Sequence, residues 1–96
     1  MDFNEYGTTE RWCMLTVLDL AQQSNGYAIA LTNWIDWAMY PLIELGYFYE
    51  VSQAPFRACR ITAEGSECLS VNRTWLEEQR RAAKMDDMYK GRYGSM

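Results

Sequence analysis

The chain has 96 residues, 49% of them hydrophobic and 15% aromatic, with nine basic against 13 acidic side chains and a net charge of −4. That length fits one domain and leaves little room for a second, and the apolar fraction excludes disorder over most of it. The acidic balance argues against a free-standing nucleic-acid binder, which draws most of its affinity from neutralised phosphates, and the absence of histidine removes the commonest general base.

A first helix is expected from Thr8 or Thr9, where a threonine can cap free amides and Glu10 suits the positive end of the helix dipole. Trp12, Leu15, Val17, Leu18 and Ala21 then recur at helical spacing. Ser24-Asn25-Gly26 stops this helix, since glycine takes the left-handed conformation freely and asparagine tolerates it. Residues 27–31 are short and apolar and read as a small second helix. A third helix is expected over 34–45, after a turn and cap at Thr32-Asn33. Ile35, Ala38, Met39, Leu42 and Leu45 form one stripe of it. Asn33, Asp36, Trp37, Tyr40 and Glu44 share the other face. Pro41 removes a hydrogen bond from that helix, so a kink is expected, or a fresh start with Pro41 in a first turn.

Gly46 ends the third helix. Residues 47–52 suit a strand, with Tyr47, Tyr49 and Val51 on one face and Phe48, Glu50 and Ser52 on the other. Gln53-Ala54-Pro55-Phe56 makes the turn, and residues 57–61 return as a second strand. Thr62 is placed to cap the next helix, Glu64 falls in its first turn, and Gly65 lets it come close to the sheet. Asn72 or Thr74 opens a last helix, where Thr74-Trp75-Leu76-Glu77 has the form of a capping box. Glu77 with Arg81, and Asp86 with Lys90, are spaced for ion pairs. Trp75, Ala82 and Tyr89 form a thin apolar stripe, and residues 91–96 are expected to fray.

This order of elements predicts an α+β fold, a winged helix-turn-helix with three helices and a two-stranded wing over residues 1–71. An extra C-terminal helix over 72–90 would pack on the core or on a second subunit. Leu15-Thr16-Val17-Leu18-Asp19-Leu20 followed by Asn25-Gly26-Tyr27-Ala28-Ile29 resembles the opening of PadR-like winged-helix regulators. Tyr40-Pro41-Leu42-Ile43 and Leu45-Gly46-Tyr47 are similar to that family's middle segments. Arg60-Ile61-Thr62-Ala63-Glu64-Gly65 with Leu69 resembles its wing ending, which MarR-like regulators share. The resemblance covers residues 12–69. The interval from Gly26 to Tyr40 is short for the family, and about one helical turn is missing between Ile43 and Gly46.

The resemblance implies a DNA-binding regulator, but the face of the third helix carries the wrong chemistry for a duplex. It offers Asn33, Asp36, Trp37, Tyr40 and Glu44, and no lysine or arginine occurs between Trp12 and Phe56. Residues 1–55 hold one basic residue, Arg11, against seven carboxylates, whereas 56–96 hold eight basic and six acidic residues. The same five residues suit a protein interface, as an aromatic patch with an acidic rim facing a basic partner. The expected function is therefore non-catalytic protein binding as an inhibitor or adaptor, in the manner of a phage protein that blocks a nucleic-acid machine. The alternative is a dimeric PadR-like repressor in which Arg57, Arg60, Arg80, Arg81 and Lys84 supply the cations, although the last three read more simply as a solvated helix surface balanced by Glu77, Glu78, Asp86 and Asp87. A purely structural subunit using the same aromatic surface is a third reading. No phosphate loop, cofactor motif or metal-ligand spacing occurs. Cys13, Cys59 and Cys68 are odd in number with no close pair, which fits reduced thiols in a cytoplasmic protein rather than a disulfide framework. The acidic start Met1-Asp2-Phe3-Asn4-Glu5 is unlike a secretory leader, and polar residues interrupt the apolar run 27–49, so no membrane span is expected.

Overall fold

A computed structural model describes residues 2–94, with side chains as far as Ala83. After a 3-10 turn at Phe3–Glu5, the elements are α1 (Thr8–Gln23), β1 (Tyr27–Ile29), α2 (Asn33–Glu44), β2 (Phe48–Ser52), β3 (Ala58–Ile61), α3 (Ala63–Val71) and α4 (Arg73–Gly94). The chain is thus α+β, with four helices and a three-stranded antiparallel sheet in the order β1-β3-β2. Among the described residues, no helix is long and apolar enough to cross a membrane.

α1 is the hub. Met14, Leu15, Val17, Leu18 and Ala21 are fully buried along one side of it, in keeping with their spacing. Ala28, Phe48 and Cys59 face this core from the three strands, and Ala38, Met39 and Leu42 face it from α2. Leu69 of α3 and Leu76 of α4 close the remaining sides. α1 begins at Thr8 with Gly7 as its cap residue, and no threonine hydroxyl caps it. It ends at the expected turn, where Asn25 and Gly26 take φ of 58° and 90°.

The segment expected as a second helix is instead β1. Tyr27, Ala28 and Ile29 pair with Arg60, Cys59 and Ala58 of β3. Their exposure alternates out-in-out, which is the period of a strand. Three residues are too few for a helix to close its hydrogen bonds, and the free β3 edge supplies partners that the local sequence does not reveal. α2 is therefore the sole helix between β1 and the β2–β3 hairpin. It runs continuously through Pro41.

Both caps around the hairpin follow from local chemistry. Gly46 (φ 79°) ends α2, with Gly46 N–H donating to Ile43 O at 3.0 Å and Tyr47 N–H to Leu42 O at 2.9 Å. This paired closure needs a left-handed residue, hence glycine. Thr62 Oγ1 donates to Gly46 O at 2.6 Å and accepts from Gly65 N–H at 3.1 Å, so one hydroxyl joins the end of α2 to the start of α3. A Cβ at Gly65 would lie 2.9 Å from Ile61 Cγ1 and closer still to the Tyr47 carbonyl oxygen.

α3 and α4 are separated only by Asn72, whose Nδ2 donates to Cys68 O at 2.8 Å. The capping box at Thr74 is not formed, because α4 starts at Arg73 and leaves Thr74 inside the helix, and Glu77 and Arg81 form no ion pair with each other. The Asp86–Lys90 pair and Lys84 lie outside the described side chains. α4 continues to Gly94, beyond the end expected at residue 90, and residues 95–96 lie outside the described residues.

α4 is tied to α1 by charge as well as by Leu76. Asp19, only 3% exposed, accepts from Arg73 Nη1 at 3.0 Å, from Arg80 Nη2 at 2.8 Å and from Gln23 Nε2 at 3.0 Å. Arg80 therefore is not balanced by its helical neighbours Glu77 and Glu78, as expected, but reaches back to a carboxylate on α1. Arg11 stacks on Trp75 with its guanidinium carbon 5.2 Å from the ring centroid, a second α1–α4 tie.

Candidate functional site

The outward face of α2 carries the candidate residues. Periodicity put Ala38, Met39 and Leu42 inward, so their helical opposites point away from the core. Trp37 is 68% exposed, and Tyr40, Trp34, Asn33 and Glu44 are exposed as well. Four of the five expected residues thus lie open on one helix face. A large indole in water is unusual enough to need a reason.

The fifth, Asp36, is engaged. Arg57, arriving from the loop before β3, donates from Nε to Asp36 Oδ1 at 2.9 Å and from Nη2 to Tyr40 Oη at 2.8 Å. Its Nη1 pairs with Glu50, and its guanidinium carbon sits 4.4 Å from the Tyr40 ring centroid. The Arg57 side chain is only 18% exposed. The hydrogen bond to Asp36 raises the Arg57 pKa despite burial, with help from Tyr40 and Glu50. Asp36 is therefore a clamp between helix and hairpin rather than an open carboxylate. Arg57 is equally committed, since one guanidinium serves two carboxylates and a phenol.

Beside this clamp lies a groove of about 500 Å³ between α2 and the start of α1. Its floor is apolar, formed by Cys13, Met14, Ala38 and Pro41. Tyr6, Trp34, Trp37 and Tyr40 supply aromatic walls, and Glu10 and Glu44 stand on opposite helices. Neither glutamate takes part in an ion pair among the described residues. Tyr6, Glu10 and the floor residues of α1 were not foreseen as part of a site. Helical spacing puts Glu10, Cys13 and Met14 on one side of α1, and Tyr6 precedes that helix, but nothing local says that α2 crosses there.

The remaining expected cations are scattered. Arg60 is on the outer sheet face, its guanidinium carbon 5.1 Å from the Tyr27 ring centroid and its Nη1 donating to Tyr27 Oη at 3.1 Å. Arg80 is held by Asp19 as described, Arg81 is exposed on α4, and the Lys84 side chain is outside the described residues. Arg60 and Arg80 share no hydrogen-bond partner with Arg57. No family model, curated protein or solved structure matches the chain.

The thiols differ in depth. Cys59 is fully buried, and burial pushes its pKa up to about 11. Cys68 is buried and also raised by burial, while Cys13 is half-buried at the groove. Among the described residues, no three histidine, cysteine or carboxylate side chains are grouped to hold a metal.

Proposed function

We propose that the chain is a non-catalytic binding protein whose α2 face docks a protein partner with a basic surface, as an inhibitor or adaptor. The observation that carries this is Trp37, two-thirds exposed beside Trp34 and Tyr40 over an apolar groove. Tryptophan and tyrosine are the residues that most often dominate interface energetics. The acidic rim is formed by Glu10 and Glu44, with Asp36 beside the groove tying the helix to the hairpin. The scaffold is read as a shortened winged helix, with the β2–β3 hairpin as its wing and one helix where a helix-turn-helix has two. A phage-encoded blocker of a nucleic-acid machine suits the size and charge.

The PadR-like repressor reading draws on fewer cations than the sequence suggests, because Arg57 and Arg80 are spent on carboxylates. The two are separated with wild-type and Trp37→Ala proteins. A partner captured by wild-type bait should rebind when purified, and Trp37→Ala should weaken it by about 2 kcal/mol, roughly thirtyfold. The variant's own unfolding free energy should move by no more than about 0.5 kcal/mol, as expected for an exposed position. Sub-micromolar binding of random duplex DNA at moderate salt would instead favour the repressor.

A further inference from the structure

We infer that the groove between α1 and α2 takes a single arginine side chain of the partner, stacked on the tryptophans and bracketed by Glu10 and Glu44. The inference rests on the docking reading above and names the chemistry that the partner must present. Glu10 also sits in the first turn of α1, where a carboxylate suits the helix dipole, so what points to a cation is the pair of carboxylates lining one aromatic groove. Glu10 and Glu44 come from different helices, face one groove, and have no ion-pair partner among the described residues. Aromatic faces attract cations through their quadrupole, and a carboxylate at the rim adds to the same field.

A guanidinium suits the groove better than an ammonium. It is planar, weakly hydrated and able to stack on an indole while its N–H groups point outward to two separate acceptors. Its aliphatic stem would lie on the floor of Cys13, Met14, Ala38 and Pro41. The fold already sets a guanidinium over an aromatic ring three times, once on an indole with Arg11 over Trp75 and twice on a phenol with Arg57 over Tyr40 and Arg60 over Tyr27. The Arg57–Tyr40 pair borders the groove, so one of its walls already has a cation on its ring. Trp34 and Trp37 carry no such cation among the described residues, although they are the better ring type for one.

The test uses the full chain and four blocked tripeptides, Ala-X-Ala, with X as arginine, lysine, citrulline or norleucine. Nitrogen-15 spectra follow the indole N–H signals. Millimolar arginine peptide should shift the Trp34 and Trp37 signals saturably and leave those of Trp12 and Trp75 in place. Lysine should bind more weakly, and citrulline and norleucine not measurably. Glu10→Gln and Glu44→Gln together should weaken the arginine peptide by about fivefold or more, in a protein that still unfolds cooperatively and is only slightly less stable for want of the Glu10 charge in the first turn of α1. Citrulline binding as well as arginine, lysine binding more tightly, or no shift with any peptide would each overturn the inference. The docking reading fails separately, if a captured partner is indifferent to Trp37→Ala.

Discussion

Asp19 keeps its charge in the middle of an apolar helix side because three donors meet its two oxygens. Burial by itself raises its pKa, but hydrogen bonds from Arg80, Arg73 and Gln23 outweigh burial, and the net shift is downward from 3.8. A carboxyl whose pKa is lower in the folded state adds stability above its unfolded value and loses it as pH falls through the folded one. The contribution of Asp19 should thus be intact above pH 3.8 and fade below it. Asp19→Asn should cost about 2 kcal/mol in urea unfolding at neutral pH, because both arginines keep partial access to water. The same variant should show a shallower loss of stability below pH 3.8 than the wild type. An equal acid slope in the two proteins would mean that another carboxylate governs acid unfolding.

At the scale of elements, α3 passes close to the residue that precedes β2. Alanine in place of a helical glycine ordinarily stabilises by up to about 1 kcal/mol. At Gly65 the added methyl would collide with the Tyr47 carbonyl and with Ile61, and backbone cannot yield as a flexible side-chain end does. Collision outweighs propensity, so Gly65→Ala should destabilise by a net 2 kcal/mol or so, read as a lower urea midpoint. The ends of this joint were legible in the sequence, since Gly46 and Thr62 cap their own helices and Gly65 marks a close approach. Its partners were not, because Thr62 reaches Gly46 across 16 positions and Gly65 meets the Tyr47 carbonyl. The inward stripe of α2 followed from period alone, and period set Trp37 and Tyr40 on the opposite face, but large aromatics bury well and their exposure is seen only in the fold. β1 was not legible, because Tyr27, Ala28 and Ile29 become a strand only by pairing with residues about thirty positions later. The Arg57 clamp and the Arg80–Asp19 pair were hidden for the same reason, being contacts across 21 and 61 positions. Asp19 did leave a trace, as a lone carboxylate within an otherwise apolar helix side. The glutamates of the groove left none, since surface glutamates on helices are ordinary.

For the whole molecule, the uneven charge along the chain becomes internal neutralisation. Arg57, Arg73 and Arg80 from the basic part fold onto Asp36, Glu50 and Asp19 from the acidic part. Among the described side chains, the carboxylates left without an ion pair outnumber the cations left without one, in line with the net charge of −4. Long-range attraction to a basic partner should then act chiefly on the association rate and be screened by salt. Raising ionic strength should slow capture of such a partner while changing its dissociation far less, a split that surface-based kinetics can measure. A dissociation rate that carried the salt dependence would place the decisive charges inside the contact rather than around it.

The unequal depth of the thiols gives the protein two built-in timers. Cys13 borders the groove, so an alkylating reagent should reach it in the intact fold and be slowed by anything seated there. Cys59 is shut in with its proton held to about pH 11, so it should react only when the whole structure opens. Mass spectra of one labelling time course would therefore report occupancy from the first cysteine and global opening from the second, in the same tube and without a probe attached.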